Sequence, residues 1–205
     1  PSLKNYYPLQ LGDKTLHWLD TSLLKGKVKN TVIKLKGKIQ DFPFVDKNNV
    51  PDSTKGIFSV ESMVTDSFIE YGIGWPELND FDFKIDIQSN NILFESIKGD
   101  FLNNNIKKMI ARITPSNIKE PTMDIKLVLD SPVPNIINAI NKSPIKKVMK
   151  GVFDELDGEG DGELSVNLRI PLKDEDNILF NGIYEFQNSS IINNALGMPK
   201  ISNIL

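Results

Sequence analysis

Alternation of apolar and charged residues with a period of two is the feature of this sequence that most constrains its fold. It is clearest at residues 81–87, where Phe or Ile stands at every odd position and Asp or Lys at every even one. Successive side chains of a β-strand point to opposite faces of the sheet. The segment is therefore predicted to be a strand with one apolar and one hydrated face, which is typical of antiparallel sheets.

The same alternation recurs along much of the chain. It recurs at 123–130 through alternate Met, Ile and Leu residues, and at 164–170. Residues 31–39 and 178–186 show it as well, and weaker, shorter or noisier examples are found at 56–64, 91–97 and 106–113. Because the pattern accounts for about eight strands, the sequence predicts a β-dominated α+β fold built on a twisted, largely antiparallel sheet.

Helical spacing of apolar residues interrupts this pattern. An N-terminal helix is predicted at about 13–25, with Asp13 as its cap. A helical hairpin is predicted at about 134–156, and its second helix begins at Ser143 and runs to the end of that range. Because no shift in composition divides the chain, residues 1–205 are expected to form a single segment.

The composition argues against most kinds of catalysis. The chain has no Cys, and His17 is its only His. These counts exclude a thiol nucleophile, a disulfide, an iron–sulfur cluster and a zinc site built from several Cys and His ligands. We therefore expect a protein that is not an enzyme and that holds no cofactor and no metal. The net charge of −3 argues against a nucleic-acid partner.

The acidic segment 157–163 (DGEGDGE) is the one that invites a metal-binding interpretation. Asp157, Glu159 and Asp161 match the first ligand positions of a calcium-binding loop, but Leu168 stands where a bidentate Glu is required. We favour an acidic, hydrated turn between the helical hairpin and the next strand. A calcium-stabilised binding domain stays open as the lesser alternative.

The predicted strands offer more apolar surface than the predicted helices can cover. Each of about eight strands contributes several apolar residues to one face. The remaining surface needs another partner: the sheet folded on itself, a neighbouring part of a longer chain, or an apolar ligand in a groove. The loop at Gly74, Trp75 and Pro76 is expected to place its indole ring at one end of this face.

Several motifs, taken in order, carry a resemblance to a known family. After the Gly-containing strand come Asp41-Phe-Pro-Phe44, Tyr71-Gly-Ile-Gly-Trp-Pro76, the helical segment from Ser131-Pro to Ser143-Pro-Ile145, and Gly162-Glu-Leu-x-Val-x-Leu-x-Ile-Pro-Leu172. In this order and spacing, over roughly residues 8–190, the sequence resembles the large AsmA-like envelope proteins of Gram-negative bacteria, specifically the YhdP branch.

This resemblance implies a segment of a very long periplasmic protein that is anchored in the inner membrane. Its repeated β-sheet would curl into an elongated groove that carries phospholipid acyl chains toward the outer membrane. The implied partners are phospholipid acyl chains and neighbouring segments of the same long chain, and membrane contact would be made by parts outside these residues. Because the sequence opens at Pro1 and stops within a continuing pattern, an internal fragment is expected.

The groove is predicted to be lined by the apolar residues of the alternating strands, because a track for acyl chains needs an apolar inner face. These residues are Ile33, Leu35, Ile39, Phe58, Val60, Phe81, Phe83, Ile85, Ile87, Met123, Ile125, Leu127, Leu129, Leu164, Val166, Leu168, Ile170, Phe180, Tyr184 and Phe186. The helix that begins at Ser143 is expected to plug the groove, cap it or dock on a neighbouring segment. The alternative function is a structural or protein-interaction module of the cell envelope with a fully packed core.

Overall fold

The computed structural model describes residues 23–70, 74–114, 122–148, 154–172, 177–193 and 201–204. Within these ranges the chain forms nine β-strands and two α-helices. The strands are β1 (Leu23–Gly37), β2 (Gly56–Ile69), β3 (Leu78–Gln88), β4 (Asn91–Phe101), β5 (Asn104–Thr114), β6 (Thr122–Asp130), β7 (Leu156–Pro171), β8 (Leu179–Asn193) and β9 (Ile201–Ile204). The helices are α1 (Val133–Asn141) and α2 (Ile145–Val148).

All nine strands belong to one open sheet, in the order β1 to β9. Each strand is antiparallel to the next, so the chain runs back and forth as a meander. Antiparallel neighbours can be joined by short connections. The predicted β-dominated, antiparallel fold is therefore confirmed, with β1 to β8 corresponding to the eight predicted strands. The ninth strand is an addition that the alternation did not predict.

One face of the sheet is apolar from β1 to β8. Residues directly opposite each other in neighbouring strands share a face. One such row crosses β1 to β7 through Ile33, Val60, Ile87, Ile92, Ile113, Met123 and Ile170. A second row crosses β2 to β8 through Ser62, Ile85, Phe94, Ala111, Ile125, Leu168 and Phe180. We call the face that carries these two rows the apolar face.

Irregular strand pairing is concentrated at one end of the sheet. Register shifts follow Val64 in β2, Ile106 in β5 and Glu159 in β7. All three lie toward the end at which β6 leaves the sheet for α1. A β-bulge bends its strand and increases the local twist. The sheet is therefore most strongly bent near the helices, whereas the two rows of the apolar face run uninterrupted nearer the other end.

The connection between β1 and β2 packs against that other end. Its Phe44 is 1% exposed and lies against Gly37 and Gly56, which face each other in the β1–β2 pair. A Cβ atom at Gly56 would come within 2.6 Å of the Phe44 ring, so glycine is needed to make room. Ser89, in the turn between β3 and β4, donates a hydrogen bond from Oγ to the Phe44 carbonyl at 3.5 Å. This hydrogen bond ties the β1–β2 connection to the turn between β3 and β4.

Ile39 does not belong to the strand predicted at 31–39, so this part of the prediction is wrong. The strand ends at Gly37, whose φ of +139° turns the chain in a way that other residues rarely adopt. Ile39 lies in a short 3₁₀ helix, Ile39–Asp41, and is 73% exposed. Ile39 falls at an odd position, as do Ile33 and Leu35, but it lies beyond the end of the strand.

The predicted helices are only partly found. Of the helix predicted at about 13–25, residues 13–22 lie outside the described residues, and residues 23–25 are strand because they pair with β2. In the predicted hairpin at 134–156, α1 confirms the first helix. The second helix is described only as far as Val148, and residues 149–153 lie outside the described residues. The predicted helical end is wrong, because Leu156 pairs with β8 and begins β7.

The acidic segment 157–163 is a strand and not the predicted turn. It forms the first part of β7 and is paired with β8. Its glycines alternate with its carboxylates, and they face close neighbours: a Cβ atom at Gly158 would lie 2.7 Å from the Val133 side chain of α1, and one at Gly162 would lie 2.5 Å from the Tyr184 ring. The alternation is therefore that of a strand in which glycine replaces the apolar residue.

Candidate functional site

The predicted groove residues lie together on the apolar face, with the exception of Ile39. Phe58, Leu127, Leu164, Phe180, Tyr184 and Phe186 are partly buried. Ile33 and Leu35, on the edge strand β1, are 47% and 58% exposed. The others are buried: Val60, Phe81, Phe83, Ile85, Ile87, Met123, Ile125, Leu129, Val166, Leu168 and Ile170. The apolar face is thus covered over its middle and open at its β1 edge.

A cavity of about 140 Å³ lies between the apolar face and the two helices. Its floor is formed by side chains of β3 to β8, among them Phe83, Phe94, Leu127 and Val166. Its lining consists almost wholly of apolar side chains. Such a space has no partner to offer a charged group and suits a hydrocarbon.

The two helices form a cover over this cavity, and we call the segment 133–148 the cover. Its apolar side chains Ile136, Ala139 and Ile140 line the cavity from the side opposite the sheet. In the turn between α1 and α2, the Pro144 ring lies 3.9 Å from the position that a Cβ atom at Gly74 would occupy. The cover therefore reaches from β7 to the loop between β2 and β3.

Trp75 in that loop closes one end of the cavity. It packs against the buried core and contributes to the cavity lining, together with Leu78 at the start of β3. This position confirms the expectation that the loop places its indole ring at one end of the apolar face. The cavity is therefore bounded by the sheet, by the cover and by this loop.

The start of the cover is anchored by a polar network. Tyr184 on β8 donates a hydrogen bond from Oη to the main-chain carbonyl of Ser131 at 2.5 Å. The Ser131 hydroxyl donates to the side-chain carbonyl of Asn104, which is fully buried. Asn135 in α1 donates from Nδ2 to the carbonyl of Asn103 at 2.9 Å. These bonds tie the helix to the turn between β4 and β5 and to β8.

Tyr184 keeps its proton over the ordinary pH range. Its burial, together with the negative charge of Asp161, raises the pKa of the Tyr184 hydroxyl to about 12. A neutral hydroxyl is needed for the donation to the Ser131 carbonyl. The electrostatics of the site therefore support the anchor of the cover.

Several residues of the apolar face on β4 and β5 escaped the sequence prediction. They are Ile92, Phe94, Ile106, Met109, Ala111 and Ile113. In β4 the alternation is obscured because Leu93, on the opposite face, is also apolar. In β5 the register shift after Ile106 moves the apolar positions from even to odd numbers. A search that allowed one bulge in a strand would have found them.

The opposite face of the sheet is hydrated and charged. Lys107 forms ion pairs with Asp130 at 2.7 Å and Glu163 at 2.8 Å, and its hydrogen bonds to these two carboxylates raise the pKa of Lys107. Arg169 contacts Asp124 through Nε at 2.6 Å. Exposed pairs of this kind contribute little to stability. Their role here is to keep one face of the sheet wet.

Within the described ranges, no group of three or more His, Cys, Asp or Glu side chains is placed to hold a metal ion. The acidic residues at 157, 159 and 161 are included in that statement. His17, the only His of the sequence, lies outside the described residues. Among the helices that the structure describes, none has the length and apolar character needed to cross a bilayer.

These observations define a class of protein, an open β-meander that presents one extended apolar face beneath a helical cover. The chain belongs to the YhdP family, because the family model described as YhdP protein matches residues 2–204. This membership confirms the resemblance found in the sequence and supports a role in bridge-like lipid transport and an association with the cell envelope. The family is one of lipid transport and is not known to be enzymatic. Comparisons with curated proteins and with solved structures found no match.

Proposed function

We propose that this chain is a segment of a periplasmic phospholipid-transport bridge between the inner and outer membranes, and that its apolar face holds the acyl chains. The observation that carries the proposal is the uninterrupted row from Ile33 to Ile170, which crosses seven strands without a charged residue. A hydrocarbon chain that moves across the sheet along this row meets apolar groups at every strand.

The dimensions of the row suit acyl chains. Neighbouring strands lie about 4.8 Å apart, so that seven strands span about 29 Å. The hydrocarbon core of a bilayer is about 30 Å thick, and one acyl chain accounts for about half of it. The row is therefore long enough for about two acyl chains placed end to end. Hydrophobic burial at about 25 cal/mol per Å² would hold them without a pocket for the head group.

The rest of the proposal concerns what lies around this segment. The partners are phospholipid acyl chains and neighbouring segments of the same long chain, which would continue the apolar face. We place the segment in the periplasm, as part of a protein anchored in the inner membrane, with membrane contacts made by parts outside these residues. The hydrated opposite face, with its ion pair between Arg169 and Asp124, suits an aqueous compartment.

Photo-crosslinking in cells tests this proposal. A photoreactive amino acid is placed in the parent protein at Phe83 or Leu127, whose side chains lie on the apolar face. The matched controls carry it at the adjacent residues Lys84 and Lys126, which point to the opposite face. We expect phospholipid adducts at the first pair only. Absence of adducts at all four positions, combined with no phospholipid released from the denatured protein in mass spectrometry, would reject the proposal.

Burial of most groove residues favours a second candidate, a packed structural or protein-interaction module of the envelope. Ile85 is 7% exposed, as expected of a core residue. The substitution Ile85→Asp distinguishes the two functions. If the face carries lipid, transport in the parent protein is lost while the segment keeps much of its secondary structure. If the face is only a core, the segment unfolds completely, because a buried unpaired carboxylate is very costly.

A further inference from the structure

The covered part of the apolar face has too little free space for an acyl chain. The cavity measures about 140 Å³. An engineered apolar cavity of about 150 Å³ holds a molecule of the size of benzene. An acyl chain that reaches through half a bilayer core, about 15 Å, is several times larger. In this conformation, the free space beneath the cover is too small to hold an acyl chain.

The cover lies over the second row of the apolar face, from Phe94 to Phe180, where an acyl chain would compete with it for the same side chains. Its underside presents Ile136, Ala139 and Ile140 to the cavity, across from Phe83, Phe94 and Leu127 of the sheet. The three side chains of the cover are aliphatic and are chemically similar to the methylene groups of a lipid. The cover therefore offers the sheet beneath it the same kind of apolar contact that a lipid would offer.

The contacts of the cover differ along its length. At its start, Ser131 is held by the hydrogen bond from Tyr184 and by its own main-chain N–H, which donates to the Gly162 carbonyl at 2.9 Å. Further along, α1 and the beginning of α2 meet the cavity through apolar side chains. α2 also makes a solvent-exposed ion pair, between Lys146 and Asp154 at 2.7 Å, which contributes little to stability. Hydrogen bonds fix a direction, whereas apolar contacts can be exchanged for other apolar contacts. This distribution suits an element that pivots about its anchored start.

We propose that the cover is displaced by acyl chains and returns when they have passed, with the Ser131 anchor as its pivot. This inference rests on the proposed function. Exchange of the cover for an acyl chain leaves the sheet side chains out of water in both states, so that the apolar area lost at one contact is regained at the other. A ligand shifts an equilibrium only through its different affinity for the two states. Acyl chains meet this requirement because they bind only the uncovered face.

A reversible lock on the cover tests the inference, since the chain has no Cys of its own. Gly74→Cys and Pro144→Cys are introduced together in the full-length parent protein, where the turn between α1 and α2 meets the β2–β3 loop. The φ of +78° at Gly74 strains a side chain placed there, so a second variant is also used. A photoreactive residue is placed at Leu127, beneath the cover, or at Ile33, on the exposed β1 edge. Phospholipid capture is compared before and after reduction of the disulfide.

We expect oxidation to lower phospholipid capture at Leu127 at least ten-fold and to leave capture at Ile33 unchanged. Reduction of the disulfide should restore capture at Leu127. Equal phospholipid capture at Leu127 in the oxidised and reduced states would overturn the inference that the cover is displaced, while leaving the proposed function intact. Loss of capture at both positions on oxidation would also overturn it, because the effect would not be local. No phospholipid capture at either position in either state would reject the proposed function, and with it the inference that the cover is displaced.

A second variant keeps the test valid if the disulfide does not form. Ile136→Ser weakens the underside of α1, and Ile137→Ser is its matched control, because Ile137 does not contribute to the cavity lining. We expect Ile136→Ser to raise phospholipid capture at Leu127 several-fold and Ile137→Ser to leave it unchanged. An equal effect of the two substitutions would contradict the inference.

Discussion

Tyr184 on β8 donates a hydrogen bond to the main-chain carbonyl of Ser131, two residues before the cover, with 2.5 Å between the two oxygens. The Tyr184 ring also packs edge-on against Phe186, with 4.8 Å between the ring centroids. Tyr184 therefore has two roles. Its ring belongs to the apolar face, as the sequence predicts, and its hydroxyl anchors the helices that cover this face.

Tyr184→Phe removes this anchor and keeps the ring. We expect the free energy of unfolding to fall by about 1 kcal/mol, the usual net contribution of one hydrogen bond, with a further cost because the Ser131 carbonyl loses its donor. Urea unfolding followed by circular dichroism measures the change. Ser131→Ala provides a control, since it removes the hydroxyl but leaves the carbonyl, so Tyr184→Phe must have the same effect in that background. Unchanged stability would show that water replaces the tyrosine.

Stability at high pH should also depend on Tyr184. The pKa of its hydroxyl is about 12 in the folded protein and about 10 for an unperturbed tyrosine. The folded state therefore holds its proton more tightly, so this contribution is complete below pH 10 and is lost as the pH rises toward 12. The wild-type protein should lose more stability over that range than Tyr184→Phe does. Parallel losses in the two proteins, measured by urea unfolding at each pH, would contradict the shifted pKa.

The strands and the apolar face could be predicted from sequence because they depend on a local rule. Alternation of apolar and charged residues fixes which side of a strand faces water, and residues 81–87 follow the rule throughout. The rule failed at β5, where the register shift after Ile106 changes the face of every later residue. A bulge depends on how a strand pairs with its neighbour, so the sequence of one strand alone does not determine it.

The helices and the cover were harder to predict because their limits are set by tertiary contacts. Leu156 continues the helical spacing of the preceding residues but belongs to β7, where it pairs with β8. Gly158 and Gly162 look like turn residues, yet they occupy strand positions beneath Val133 and Tyr184. The sequence left open whether the helices plug or cap the groove. That position follows from contacts between residues far apart in the chain.

Gly99 on β4 is expected to be intolerant of a side chain. A Cβ atom there would run into the ring of Phe81, which is 1% exposed and cannot move into solvent. Gly99→Ala should lower the free energy of unfolding by about 1–3 kcal/mol, as overpacking of a core does. The double variant with Phe81→Leu should recover part of this loss, since the smaller side chain leaves room. Strictly additive effects in urea unfolding would show that the two positions do not interact.

Calcium should leave the stability of the segment unchanged. Asp157 and Asp161 lie in an extended strand, in which residues two positions apart are separated by about 6.6 Å. Calcium requires several oxygen atoms at about 2.3–2.6 Å from one ion. Glu159 is occupied as well, since it accepts a hydrogen bond from Ser190 at 3.0 Å. The melting temperature should be equal in millimolar calcium and in EDTA. A rise with calcium that Asp161→Asn abolishes would restore the metal-binding interpretation.

Leu35 allows the stability of the apolar face to be separated from its proposed contact with lipid. It lies on β1 opposite Phe58 and is 58% exposed, so Leu35→Asn should change the free energy of unfolding by no more than about 0.5 kcal/mol. Val32→Asn is the matched control, because Val32 is on the same strand, 48% exposed and on the opposite face. We expect Leu35→Asn to lower phospholipid capture at Ile33 several-fold, because an amide in the path of an acyl chain must be desolvated. Val32→Asn should leave capture unchanged, and an equal effect of the two substitutions would show that lipid does not distinguish the faces of β1.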